Sequence, residues 1–208
     1  MSARERILLE TRLWRTEKEN LDKDYFKHLT RRFKPSMLWI ESFGNMVSVA
    51  ELTNTEPDEI IVYRNTGGQC KQDDLSFMSA LETFVEGQDA QYIVVCGHSH
   101  CPVIRDTIAG KERGAYSSRW TEDIHELHDQ HAAEMMALPT RQQEKKLNEL
   151  NVRRQLQNLS TIDLVQRAWS EGRKISLLGW YLDLHKGEVQ EVCSMVGLDM
   201  LTGVAARQ

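Results

Sequence analysis

The chain has 208 residues, 40% of them hydrophobic and 27% charged, with a formal net charge of −5. That is enough length for one α/β domain with a substantial core, and an ordinary water-facing composition. Acidic and basic residues are interleaved, which argues against the clustered basic face of non-specific nucleic-acid binders, and no run approaches the ~20 apolar residues of a membrane span.

Residues 1–15 are charged and lack the apolar core of a secretory signal. Residues 3 to about 32 carry apolar side chains at helical intervals (Ile7, Leu8, Leu13, Trp14, then Tyr25, Phe26, Leu29), which predicts two helices with Asp22 and Asp24 as candidate caps for the second. Pro35 ends the second helix, and the apolar run Met37-Leu38-Trp39-Ile40 predicts a buried strand. Ile60-Ile61-Val62-Tyr63 predicts another, entering the turn Asn65-Thr66-Gly67-Gly68. Residues 75–85 read as a helix, and Tyr92-Ile93-Val94-Val95-Cys96 as a strand stopped by Gly97. Residues 110–118 read as a flexible stretch. Helices are expected over 120–138, 141–156 and 161–171, and a late strand over 174–178 with 180–184 following. The turn His185-Lys186-Gly187-Glu188 lets 189–192 pair back as a hairpin. Strands alternating with helices imply a central, mostly parallel β-sheet flanked by helices, in one domain over 1–208 with a helical arm at about 1–34. Such sheets place their sites beyond the carboxyl ends of strands, which would gather the loops after Ile40, Tyr63 and Cys96. Cys70, Cys96, Cys101 and Cys193 form no Cys-x-x-Cys pair, so a reduced, cytoplasmic setting is expected.

The chemistry-bearing segment is Cys96-Gly97-His98-Ser99-His100-Cys101. Imidazole and thiolate are good zinc ligands, and the spacing lets His98 and Cys101 point at one ion. Two ligands make no complete site; a capping histidine and a buried cysteine account for the same residues.

The neighbourhood favours the metal reading. Gly97-His98-x-x-Cys101 after Ile-Val-Val-Cys resembles the second zinc motif of the β-carbonic anhydrases. Leu38-Trp39-Ile40, Glu51-Leu52-Thr53 with Glu56-Pro57, and Val62-Tyr63-Arg64-Asn65 resemble further segments of that family in register. So do Glu149-Leu150-Asn151-Val152 with Gln155 and Asn158-Leu159, then Ala168-Trp169, Gly172 and Gly179-Trp180. The resemblance runs from about Leu13 to Val192. It implies a zinc-dependent conversion of CO₂ and water to bicarbonate, active clefts at dimer interfaces, and N-terminal helices packed on a partner subunit in a homodimer or tetramer.

The chain departs from the family at its first motif, Cys-x-Asp-Ser-Arg, whose Cys binds zinc and whose Asp and Arg pair beside it. Here Glu41-Ser42-Phe43-Gly44-Asn45-Met46-Val47 puts Ser42, Gly44 and Met46 at the Cys, Asp and Arg positions. The second motif departs too, since Pro102-Val103 replaces the usual glycines. No catalytic residue is therefore assigned. The metal candidates are His98 and Cys101, with Cys70 as a rebuilt third ligand and His100 and Glu41 as weaker substitutes. Trp39, Arg64 and Tyr181 match positions that bind bicarbonate away from the zinc in one regulated branch of the family; core aromatics and a structural ion pair are the alternative. His125, His128 and His131 read as a polar helix face, and the charges from Arg141 to Arg154 as a solvated one.

Three functions follow. One is a family member with little or no CO₂ hydration that binds bicarbonate or a similar small anion, or serves as a regulatory homologue. Another is an active zinc lyase with a rebuilt metal site. The third is an enzyme for another small substrate, such as a CO₂-like thio compound, in a cleft made apolar by Phe43, Met46 and Val103.

Overall fold

The strands form where β-branched and apolar residues run together. β1 (Met37–Ser42), β2 (Ile60–Asn65), β3 (Tyr92–His98) and β4 (Ser176–Asp183) pair in parallel, and β5 (Glu188–Val196) returns antiparallel to β4. The sheet order is β2-β1-β3-β4-β5. These facts come from a computed structural model that describes residues 1–31, 34–56, 58–87, 89–111 and 114–197. Arg32, Pro57, residues 112–113 and the end of the chain from 198, all included in the expectations above, lie outside the described residues.

Strands β1 and β3 are central, so both of their faces are buried and they read as continuous apolar runs. Leu38, Ile40, Ile93, Val95 and Leu177 face one core, which α4 (Leu75–Glu86), α9 (Thr140–Ser160) and α10 (Asp163–Ser170) cover. Trp39, Val94, Cys96 and Leu182 face the other side, joined by Val49 of α3 (Val49–Thr53). The late strand is continuous because Gly179 has no side chain: a Cβ there would lie 2.7 Å from Val152 Cγ1 and 2.8 Å from Cys193 Sγ. A register shift against β5 falls at the same point.

The N-terminal helices are present as α1 (Ala3–Leu21) and α2 (Tyr25–Arg31). Ser2 and Glu5 form a capping box that starts α1. The helix expected over 120–138 is instead α6 (Ala115–Trp120), α7 (Glu122–Gln130) and α8 (Ala132–Met136), with α6 beginning inside the stretch read as flexible. The breaks fall at Thr121 and His131, whose backbone leaves the helical region at φ −101° and −112°. The Thr121 hydroxyl donates to the Ser117 carbonyl at 2.9 Å, a local bond that competes with the helical ladder. A short helix, α5 (Pro102–Ile108), follows β3 and opens with Pro102 in its first turn, where a missing N–H costs nothing. Among the described residues, no helix is long and apolar enough to cross a membrane.

Candidate functional site

The carboxyl ends of β1, β2 and β3 come together as the parallel topology requires. The Ser42 hydroxyl ends β1 and accepts the Gly67 N–H at 3.3 Å and the Gly44 N–H at 3.5 Å. Gly67 and Gly68 both turn with positive φ (81° and 64°), which lets the loop after β2 press onto β1. The Cys101 thiol, buried at the start of α5, donates to Ser42 Oγ at 3.6 Å.

His98 ends β3, 1% exposed. Its Nδ1–H donates to the Ser99 carbonyl at 2.9 Å, which leaves Nε2 with the lone pair. Nε2 has no well-aligned hydrogen-bond partner, and its charge partner is Cys101. Burial lowers the His98 pKa, but the contact with Cys101, helped by the Ser99 carbonyl and the Glu41 charge, outweighs burial and raises it. Burial likewise raises the Cys101 pKa, and the His98 contact, with the Ile104 backbone and Ser42, reverses that and lowers it. The contact thus draws the two pKa values towards each other, His98 upward and Cys101 downward.

The structure thus brings Ser42, His98 and Cys101 together. These residues fit a zinc ion only in part. The buried bare Nε2 and the adjacent thiol suit the metal, but the third member is a neutral hydroxyl. Among the described residues, no three His, Cys, Asp or Glu side chains converge as a metal site. A complete zinc centre is one ligand short. Cys70 does not complete it. It packs in the main core beside Leu38 and Phe77, its thiol pushed up by burial, and its backbone N–H donates to Gln155 Oε1 at 2.8 Å. His100 is exposed, with φ 61°, and its Nε2 lies 2.6 Å from His185 Nε2.

Gly44 is confined. A Cβ on it would lie 2.6 Å from Pro102 Cδ and 3.2 Å from Pro102 Cγ. The two departures from the family motifs therefore touch: the ring of one fills the space that a side chain at the other would need. Met46 is 90% exposed and reaches nothing in the site.

Strand alternation makes Glu41 a weak candidate ligand, because it turns the side chain away from Ser42. It does turn away, but into a fully buried cluster. Its Oε2 accepts the Trp39 indole N–H at 3.1 Å and the Asn45 side-chain N–H at 2.7 Å, while Oε1 pairs with Arg64 Nη2 at 2.5 Å. Arg64 Nη2 also donates to the Val47 carbonyl at 3.2 Å. A carboxylate two residues after a strand tryptophan, in register with an arginine of the next strand, is the signal that identifies this cluster.

Tyr181 is not part of it. Its neighbour Trp180 packs edge-on against Trp39 with centroids 5.4 Å apart, so Tyr181 points to the opposite face. There it lies under Lys145 Nζ of α9, 5.6 Å from the ring centroid. Trp39 and Arg64 are brought together, and Tyr181 is separated from them by the sheet.

A mostly parallel five-stranded sheet thus carries His98-x-x-Cys101 at the end of β3. The carbonic anhydrase family model matches residues 39–189. A carbonic anhydrase of Pseudomonas aeruginosa is 32% identical, aligned over 79% of this chain and 76% of its own length. The Coccomyxa β-carbonic anhydrase, solved with acetazolamide, superposes with TM-score 0.87 at 29% identity, covering 98% of this chain and 92% of its own. One of the tetrameric β-carbonic anhydrases of Sordaria macrospora shares the fold with TM-score 0.85 at 21% identity, covering 92% of this chain and 98% of its own. The chain belongs to the β-carbonic anhydrase family.

Proposed function

We propose that this chain is a β-carbonic anhydrase homologue with little or no CO₂ hydration activity, acting as a non-catalytic or regulatory member of a homodimeric or larger assembly. The observation that carries this reading is Ser42, whose hydroxyl meets the Cys101 thiol where a third strong ligand is needed. A hydroxyl is neutral at pH 7 and binds Zn²⁺ far more weakly than a thiolate. Gly44 packed on Pro102 leaves no room for a carboxylate beside the site, and Met46 brings no charge to hold one. Loss of such supporting groups alone costs about 10–100-fold in metal affinity or activity. Burial of Cys70 in the main core withdraws support from the rebuilt-site alternative.

The test is zinc content after metal-replete purification, alongside stopped-flow CO₂ hydration with and without a chelator. The expected result is zinc well below one per chain and a rate at background. Hydration far above background that a chelator abolishes overturns the proposal. Restoring Ser42→Cys, Gly44→Asp and Met46→Arg is expected to recover zinc fully only when Pro102→Gly is added, because the proline ring stands in the way of the new carboxylate.

A further inference from the structure

The cluster around Glu41 has the donor set of an anion pocket. A planar oxyanion is held by a guanidinium with additional N–H donors, as a carboxylate is. Here the guanidinium is Arg64 and the added donors are Trp39 Nε1 and Asn45 Nδ2, and all three are already spent on Glu41. The fully buried Glu41 carboxylate is held by two hydrogen bonds to Oε2, while Oε1 has the Arg64 ion pair but no aligned hydrogen bond. The loop from Asn45 to Val47 closes the arrangement, since Asn45 Oδ1 accepts the Val47 N–H at 3.1 Å and the Val47 carbonyl holds Arg64.

We propose that Glu41 is a built-in ligand that fills the Trp39–Arg64–Asn45 pocket, so that the chain excludes bicarbonate and other small planar oxyanions from it. Removing that side chain turns the pocket into a receptor for such an anion. The physical ground is competition. A tethered carboxylate acts at an effective concentration on the order of millimolar or above, so a free anion must be present in excess of that to displace it. A displacing anion would also leave Glu41 either buried beside a second negative charge or forced out through the closed loop. This inference stands apart from the metal-centre reading, because none of its donors belongs to the Ser42–His98–Cys101 cluster.

The test follows the Trp39 indole N–H resonance in ¹⁵N-tryptophan-labelled protein, assigned with Trp39→Phe, during titration with bicarbonate and, separately, formate. In the unaltered chain no saturable shift is expected with either anion. In Glu41→Ala a saturable shift is expected, with an affinity at least about tenfold above that of the unaltered chain, and the added Arg64→Ala is expected to abolish it. A saturable shift in the unaltered chain at the same concentrations as in Glu41→Ala overturns the proposal, as does a folded Glu41→Ala chain that binds neither anion. If Glu41→Ala does not fold, the titration of the unaltered chain still decides, since a saturable Trp39 shift there contradicts a filled pocket. The readout is independent of zinc content and hydration rate, so it separates this inference from the proposed loss of catalysis.

Discussion

At Gly44 the decisive quantity is a distance. A side chain there must displace a proline ring whose Cδ is 2.6 Å from where the Cβ would go, and the ring belongs to a helix start rather than to a flexible side chain. Overpacking of this kind costs about 1–3 kcal/mol. Gly44→Asp alone is therefore expected to lower stability by that amount in urea denaturation, and Gly44→Asp with Pro102→Gly to lose less than the sum of the two single changes. Additive effects would show that the two positions are independent. The substitutions themselves are legible in the sequence by comparison with the family motif. Their contact is not, since nothing in the chain between Gly44 and Pro102 says that they meet. A second residue-scale expectation concerns Tyr181. Burial, then the charges of Asp183, Glu144 and Glu149, push its phenol up to about 12 from the ordinary 10.0. The folded chain thus keeps this proton where the unfolded chain has lost it. Its contribution to stability is complete below pH ~10 and declines as the pH rises towards 12. The urea midpoint of the parent chain should fall more steeply over that window than that of Tyr181→Phe; equal slopes would mean that Tyr181 titrates normally.

Helix α9 does for the elements what Pro102 does for one residue. It spans the face of the sheet beneath the site and sends buried polar side chains to the loop after β2. Asn151 Nδ2 donates to the Gly67 carbonyl at 3.0 Å, and Gln69 Nε2 donates to Asn151 Oδ1 at 2.9 Å. Gln155, fully buried, accepts the Cys70 N–H and donates to Gln69 Oε1 at 3.3 Å and to Asn151 Oδ1 at 3.1 Å. This network holds the turn whose Gly67 N–H bonds Ser42. Leaving one buried polar group unpaired costs about 1–3 kcal/mol, so Gln155→Ala should destabilise the chain by at least that much in urea denaturation. A loss under about 0.5 kcal/mol would show that water or neighbouring side chains replace the bonds. The existence of α9 follows from its sequence, but its apolar positions are too few to announce which face is buried. What buries Asn151 and Gln155 is the loop after β2 folding against them.

On the scale of the whole molecule, α1 is unusual. None of its residues is buried, and Ile7, Leu8, Leu13 and Trp14 are between 46% and 58% exposed. Trp14 packs edge-on against Phe26 of α2 with centroids 5.5 Å apart, so the arm folds on itself and leaves an apolar face. The sheet face around Trp39 is also thinly covered within one chain, with Trp180, Leu178 and Ile60 only partly buried. An apolar helix face of this size is expected to be covered by a second copy, in keeping with the assembly proposed above. Sedimentation velocity should therefore show a dimer or larger species, and Ile7→Glu with Leu8→Glu should shift it towards monomer without loss of helical signal. An unshifted species would remove the arm from the interface.

Local order was determined by the sequence. The strands follow from β-branched and apolar runs, and the nearness of His98 and Cys101 from the His-x-x-Cys spacing. The departure from the family motif at Ser42, Gly44 and Met46 is a matter of three changed residue types in one short loop. These are short-range properties of chemistry and period, and they survive without knowledge of neighbours. Only the tertiary structure decided which groups meet. It separated Tyr181 from Trp39 by the sheet and drew Cys70 into the core instead of the cleft. It also set Pro102 against Gly44 and turned Glu41 from a weak candidate ligand into the partner of Arg64. Each of these outcomes depends on strand register and on which face a side chain takes, and both are fixed by packing between segments far apart in the chain.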